Sequence, residues 1–269
     1  TDADINASGG TYVAFGWKAN GGTTTTNDAS ATSVGDTDSV YQVNSTAKFS
    51  IVSWTGSGSG TVSIAHGLGS TPKFLIIKQR DGANSWLVYH HKNTVVDDAH
   101  DTFLKLHLTN ASSADANNYF MDNTAPTSTV ATFGSGTEAN ASGTYIGYFF
   151  DEVQGYSKFG SYTGNGNADG TFIYTGFAPA WVMIKRTDTA KNWYIFDNKR
   201  PGYNVINRLI APNLNSAEVD GSEKIDLLSN GFKLRQDFSH TNTDGGTFIY
   251  VAFASSPFVS SEGVPTTAR

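Results

Sequence analysis

An all-β fold of tandem sandwiches is what this chain predicts, and three observations carry the expectation. Thr outnumbers Leu by 31 to 11. A helical bundle needs the reverse, because Leu keeps its rotamers in a helix while Thr and aromatic side chains suit a pleated sheet. Gly supplies 28 of 269 residues and only 16% are charged, so turns are frequent and solvated faces sparse. One strand also recurs three times: residues 6–17, 140–150 and 243–253 align on Thr11, Thr144 and Thr247. Many short strands joined by Gly-rich turns point to a sandwich, with a jelly-roll or lectin-like double sheet preferred over a closed barrel.

The repeat divides the chain. Lys78 and Lys185, Asp81 and Asp188, Trp86 and Trp193, and Tyr89 and Phe196 are each 107 residues apart, and one shared offset over four pairs marks two copies of one unit. The expected order is residues 1–19 as the terminal strand of a preceding or partner repeat, 20–47 as a Thr/Gly-rich linker, 48–153 as the first sandwich, 156–258 as the second and 259–269 as a tail. Residues 20–47 lack apolar periodicity and read as loop. Residues 1–19 pair either with a preceding repeat or with the sheet of a neighbouring subunit, since an unpaired apolar strand is normally covered. The chain opens on Thr, so a longer or processed natural polypeptide is expected.

Within each unit the strands follow from pattern. Residues 74–80, a Gly-containing turn at 81–85 and residues 86–90 form a hairpin, repeated at 181–186 and 193–196. The strand at 247–253 alternates Thr247, Ile249, Val251 and Phe253 with Phe248, Tyr250 and Ala252, so both faces are apolar. That suits a central strand covered on two sides, or one face in a core and the other against a neighbouring module. Residues 99–108 and 223–228 are the only plausible helical turns. Trp54, Trp86, Tyr162, Trp181 and Trp193 are expected in the cores, because matching aromatics contribute much of the buried area a shared fold requires.

Composition also excludes functions. A net charge of −6 with scattered Lys and Arg lacks the clustered cations that nucleic-acid binding needs. With no Cys there is no disulfide, thiolate metal site or Cys nucleophile. No apolar run is long enough for a membrane helix, and no signal peptide is evident.

Candidate chemistry is sparse. A transition-metal reading would use His90, His91, His100 and Asp97 or Asp98, but tight ligand spacing is absent and the second unit has Asp197 where the first has His90. Ser57 lies in a small-residue turn whose counterpart carries Asn, which argues against a nucleophile. Asp151 and Glu152 read as a solvated strand end and not as a glycosidase pair. Calcium is the one cofactor entertained, at the Asn and Asp loop 165–169, although these residues are also ordinary turn formers. Otherwise no cofactor, metal or catalytic residue is expected. Binding falls instead to loops that differ between the units, with His90, His91, Asp97, Asp98, Arg200, Tyr203 and Asn204 as candidates, because loops on a rigid sandwich carry recognition.

Residues 159–166, 174–186, 192–197 and 228–235 together resemble a family of tandem β-sandwich repeats of phage tail and other virion proteins, especially marine and cyanobacterial ones. The second unit carries the resemblance over most of its length and the first more loosely, departing at residues 64–69 and across 90–107. The resemblance implies a concanavalin-like or laminin-G-like sandwich, a non-enzymatic virion protein of tail, fibre or capsid surface, and a role in structure and host recognition. Its implied partners are other virion proteins, further copies of the chain and a host surface glycan. A secreted carbohydrate-binding module is the alternative.

Overall fold

A computed structural model describes residues 7–201 and 203–255. It contains eighteen strands and, besides one 3-10 turn, two helical turns, α1 (Ala29–Thr32) and α2 (Thr137–Asn140). The strands are β1 (Thr25–Asn27), β2 (Ser39–Asn44), β3 (Phe49–Gly56), β4 (Val62–Ala65), β5 (Phe74–Gln79), β6 (Leu87–His90), β7 (Thr102–Lys105), β8 (Ser113–Ala114), β9 (Val130–Phe133) and β10 (Gly143–Phe150). The second half adds β11 (Ser157–Thr163), β12 (Phe172–Tyr174), β13 (Pro179–Arg186), β14 (Trp193–Asp197), β15 (Ile206–Leu209), β16 (Val219–Leu228), β17 (Gly231–Leu234) and β18 (Thr247–Ala254). The fold is all-β, as the composition required, and the paired strands run antiparallel.

Every strand of a given sheet comes from one unit. In the first, an eight-stranded sheet has the order β1-β2-β3-β10-β5-β6-β7-β8 and faces the two-stranded sheet β4-β9. In the second, β11-β18-β13-β14 faces β12-β17-β16-β15. The repeat is therefore spatial as well as sequential: β3-β10-β5-β6 and β11-β18-β13-β14 are the same arrangement. Both expected hairpins form and share one register, with Ile77 opposite Leu87 and the equivalent Ile184 opposite Tyr194. The units differ at their margins: β1 and β2 extend only the first, and β8 lies beside β7 in its large sheet while the counterpart β16 lies in the outer sheet. β15 pairs with β16 in the outer sheet of the second unit, whereas its counterpart β7 joins β6 in the large sheet.

The matching turns are held alike. The buried Asn140 side chain donates to Ser57 Oγ and Gly60 O and accepts from Ser57 N. Asn242, also buried, donates to Asn165 Oδ1, Asn167 O and Gln236 O and accepts from Asn165 N. Glycine is needed beside each: a Cβ at Gly56 would lie 2.2 Å from Ala141 O, and one at Gly164 2.3 Å from Thr243 O.

Two expectations are corrected. Residues 20–47 are not a linker, because β1 and β2 extend the large sheet, β2 pairing with β3 along its length. β1 is a three-residue edge strand with Thr25 and Thr26 exposed, too short to show alternation, and β2 mixes Val40, Tyr41 and Val43 with Ser39, Gln42 and Asn44, of which only Ser39 is buried. Residues 99–108 give only a 3-10 turn, Ala99–Asp101, before β7, and residues 223–228 are the end of β16. Residues 7–19 pair with no strand among the described residues, and the expected pairing is with a sheet outside them. Residues 1–6 and 256–269, including the expected tail, lie outside the described residues.

Three apolar layers separate the four sheets. One fills the first sandwich around Trp54, Leu75, Phe133, Tyr145 and Phe149. Another fills the second around Val182, Phe196, Phe232, Phe248 and Tyr250. The third lies between the units, where Phe49, Phe74, Val88 and Phe150 meet Phe159, Met183, Trp193, Val251 and Phe253. This third layer explains why β18 is apolar on both faces: Phe248, Tyr250 and Ala252 enter the core of their own sandwich, and Ile249, Val251 and Phe253 enter the shared layer.

Candidate functional site

The shared layer leaves the cavity that most resembles a site. It measures about 400 Å³ and is walled by Phe49, Tyr148 and Phe150 of the first unit, Trp181, Met183 and Phe253 of the second, and Phe15 and Trp17 of the N-terminal segment. Its lining includes no carboxylate, imidazole, amine or guanidinium. The indole N–H of Trp181 has no hydrogen-bond partner. Such a wall offers contact area and aromatic edges, and the Tyr148 phenol is its one titratable side chain.

Around this layer, polar groups tie the two units together. His90 is fully buried; Lys92 N donates to its Nδ1 at 3.1 Å, so the proton sits on Nε2, which donates to Tyr250 O at 3.1 Å. Burial pushes its pKa down to about 3. His91 Nε2 lies 2.8 Å from Phe159 O, and burial lowers this imidazole as well. Trp193 Nε1 donates to Lys105 O at 3.1 Å, and Ser112 N to Thr187 O at 2.8 Å. Glu152 accepts from Lys73 at 2.9 Å, Lys158 at 3.1 Å and Phe159 N at 2.8 Å. Burial alone would raise its carboxyl, but these donors hold it below the usual range.

Lys185 deserves comparison with its repeat partner. Its ammonium is wholly buried and donates to Arg186 O at 2.8 Å, Lys191 O at 2.9 Å and Thr109 O at 3.2 Å. Lys78 does the same to Gln79 O and Gly82 O at 2.6 and 2.7 Å. In both units the lysine satisfies carbonyls of the hairpin turn; in the second it also reaches across to the first. Burial lowers the Lys185 pKa to about 7.

The binding candidates separate into two groups. His90 and His91 are corrected: both imidazoles are committed to backbone carbonyls of the second unit and line no open loop. Arg200 is corrected too, because it is held by Asp197 at 2.5 Å and Glu218 at 2.8 Å. The Asn204 side chain is spent on Leu227, accepting from its N–H and donating to its carbonyl. Asp97, Asp98 and Tyr203 stay exposed, Tyr203 at 79%. The metal reading retains only Asp98, His100 and Asp101, whose ligand atoms lie within 4.8 Å of one another. In the expected calcium loop, Asp169 faces Lys233 at 2.6 Å and Arg235 at 3.3 Å, and two cations oppose a divalent ion there.

Of the expected core aromatics, Trp54 and Trp193 are buried. Trp86, Tyr162 and Trp181 are half-buried. Trp193 is sealed by the other unit, and Trp86 occupies the matching position beyond the area that the second unit covers. Glu152 was misread as a solvated strand end, since a partner 79 residues upstream, Lys73, leaves no local signal. Pattern reading also missed Phe172 and Tyr174, 45% and 65% exposed on one face of β12. The departure of the first unit at the corresponding residues is the signal that marks them.

No helix among the described residues is long and apolar enough to cross a membrane. A family model described as Domain of unknown function (DUF7483) matches residues 1–257, and the chain belongs to that family. Neither the curated proteins nor the solved structures contain a match.

Proposed function

We propose that this member of the family is a non-enzymatic structural protein of a phage virion, a stiff double sandwich displayed on a tail, fibre or capsid surface. The observation that carries the reading is the shared aromatic layer. Two modules fused face to face through Phe150, Trp193 and Phe253 hold their loops in fixed relation, which suits a part that bears load or presents a surface. The lining of the main cavity carries no carboxylate, imidazole, amine or guanidinium, in keeping with a role in assembly. The virion placement rests on the sequence resemblance given above. Cryo-electron microscopy of the particle, with an antibody against the exposed Asp97–Asp98 loop, tests it: density and label on an appendage are expected, and their absence from purified particles refutes it.

One observation favours the carbohydrate-binding alternative. Phe172 and Tyr174 project from the same face of β12, with Lys233 opposite Phe172 and Asp226 opposite Lys233. Stacking rings beside charged groups fit a sugar. Glycan-array binding lost in Tyr174→Ala, with unchanged thermal stability, would select that reading.

A further inference from the structure

The N-terminal segment carries an observation that neither complete module explains. Residues 10–17 align with β10 and β18, each the last strand of its module and each central in its sheet. The alignment makes Trp17, Phe150 and Phe253 equivalent. Their rings meet one another: Trp17 lies 6.4 Å from Phe150 and 5.3 Å from Phe253, and Phe150 lies 5.9 Å from Phe253. Three copies of one position thus converge on one point.

The faces agree as well. In β18, Val251 and Phe253 point into the shared layer and Phe248 and Tyr250 into the core of their own sandwich. In the N-terminal copy, Phe15 and Trp17 pack on the shared layer, while Tyr12, Ala14 and Gly16, the positions of the core face, are exposed. Residues 11–19 carry no strand pairing, whereas β10 is flanked by β3 and β5 and β18 by β11 and β13.

A third indication lies on the first module. Ile51, Ile146 and Tyr148 are only half-buried, but their equivalents Phe159, Ile249 and Val251 are 1 to 2% exposed. Phe74 of the first module lies 5.8 Å from Phe159 of the second, and its equivalent Trp181 lies 5.5 Å from Trp17. The second module covers one side of the shared layer, and the side at Ile51 and Tyr148 lacks its cover.

We propose that residues 10–17 are the central strand of a third sandwich of the same repeat, which packs on the open side of the shared layer and closes the cavity around Trp17, Phe150 and Phe253. In both complete modules this strand comes last, so the flanking strands of the third lie N-terminal to it in the same polypeptide. A second copy of the described modules does not fit the role, because its central positions are already filled by β10 and β18.

The test places a duplicate of residues 48–142 directly before Gly10, so that residues 10–17 complete it; a parallel chain uses residues 156–245 and guards against poor register in one design. In at least one chain the added segment resists thermolysin as the other modules do. Ala14→Cys, unique in a Cys-free sequence, then reacts with maleimide roughly tenfold more slowly than in the 269-residue chain, the protection expected of a core position. Ala14→Asp, which puts a charge in the third core, returns only the added segment to digestion. Digestion of both duplicates at the same rate with and without Ala14→Asp overturns the proposal. So does a dimer of the 269-residue chain in which Ala14→Cys is already protected, which would make a second copy the occupant.

Discussion

Lowering the pH from 7.5 to 5.0 is expected to remove about 4 kcal/mol of stability through two histidines alone. His66 and His90 are fully buried and neutral. His66 accepts from Leu68 N on Nδ1 and places Nε2 at Thr127 O, and His90 uses its ring in the same way. Burial depresses their pKa values to about 4 and about 3. The unfolded chain takes up a proton at each imidazole below pH 6.5 while the folded chain refuses it, so stability is full above 6.5 and falls as the pH drops toward the folded values. Each unit of depression is worth about 1.4 kcal/mol, which gives about 2 kcal/mol per histidine at pH 5.0. The interval lies above the range where carboxylates titrate; Lys185, lowered to about 7, binds fewer protons in the folded than in the unfolded chain at the upper end of it and adds about 1 kcal/mol to the loss. Urea unfolding followed by tryptophan fluorescence at pH 7.5, 6.5, 5.8 and 5.0 measures the loss. His90→Gln should remove about 2 kcal/mol of the pH dependence over this window, the rest coming chiefly from His66 and His240, both lowered to about 4, and from His91. If the variant and the native chain fall in parallel, or if either imidazole titrates near 6.5 by NMR in the folded protein, the buried neutral assignment is refuted.

Three further outcomes are expected. Phe150→Ala, which empties the stack on Phe49 at 4.5 Å, should cost about 3 to 5 kcal/mol and lower the near-ultraviolet circular dichroism of both modules. Asn140→Ala and Asn242→Ala should each cost about 1 to 2 kcal/mol, because the first removes the partner of Gly60 O and Ser57 N and the second that of Asn167 O, Gln236 O and Asn165 N; hydrogen exchange at residues 57 and 165 should rise in the respective variant and not in the other. Trp193→Phe keeps the ring but strands the Lys105 carbonyl, and a loss of about 1 to 3 kcal/mol measured by urea midpoint is expected.

Local pattern made much of the fold legible. The common offset at Lys78, Asp81, Trp86 and Tyr89 located both hairpins, and the two apolar faces of residues 247–253 foretold a covered central strand. What stayed hidden was non-local. His90 and His91 read as loop residues because their carbonyl partners lie 160 and 68 residues away. Trp86 and Trp193 are identical in sequence terms and differ only in what the other unit covers. β1 escaped notice because a three-residue exposed edge strand keeps its polar side chains, and β2 because its half-buried Tyr41 and Val43 give too short an alternation among polar neighbours. Tyr203 and Asp97 were placed correctly at the surface, since turn chemistry is local.

The shared layer also changes what kind of repeat protein this is. Tandem modules joined only by a short connector lose structure one at a time, each reporting its own melting temperature. Here Phe150, Phe159, Trp193 and Phe253 belong to neither module alone, so exposing one partner's face strips apolar cover from the other. The apolar layer where the repeats meet is a third core beside those of the two sandwiches, so the two halves are expected to melt as a single calorimetric unit of nearly the whole described chain.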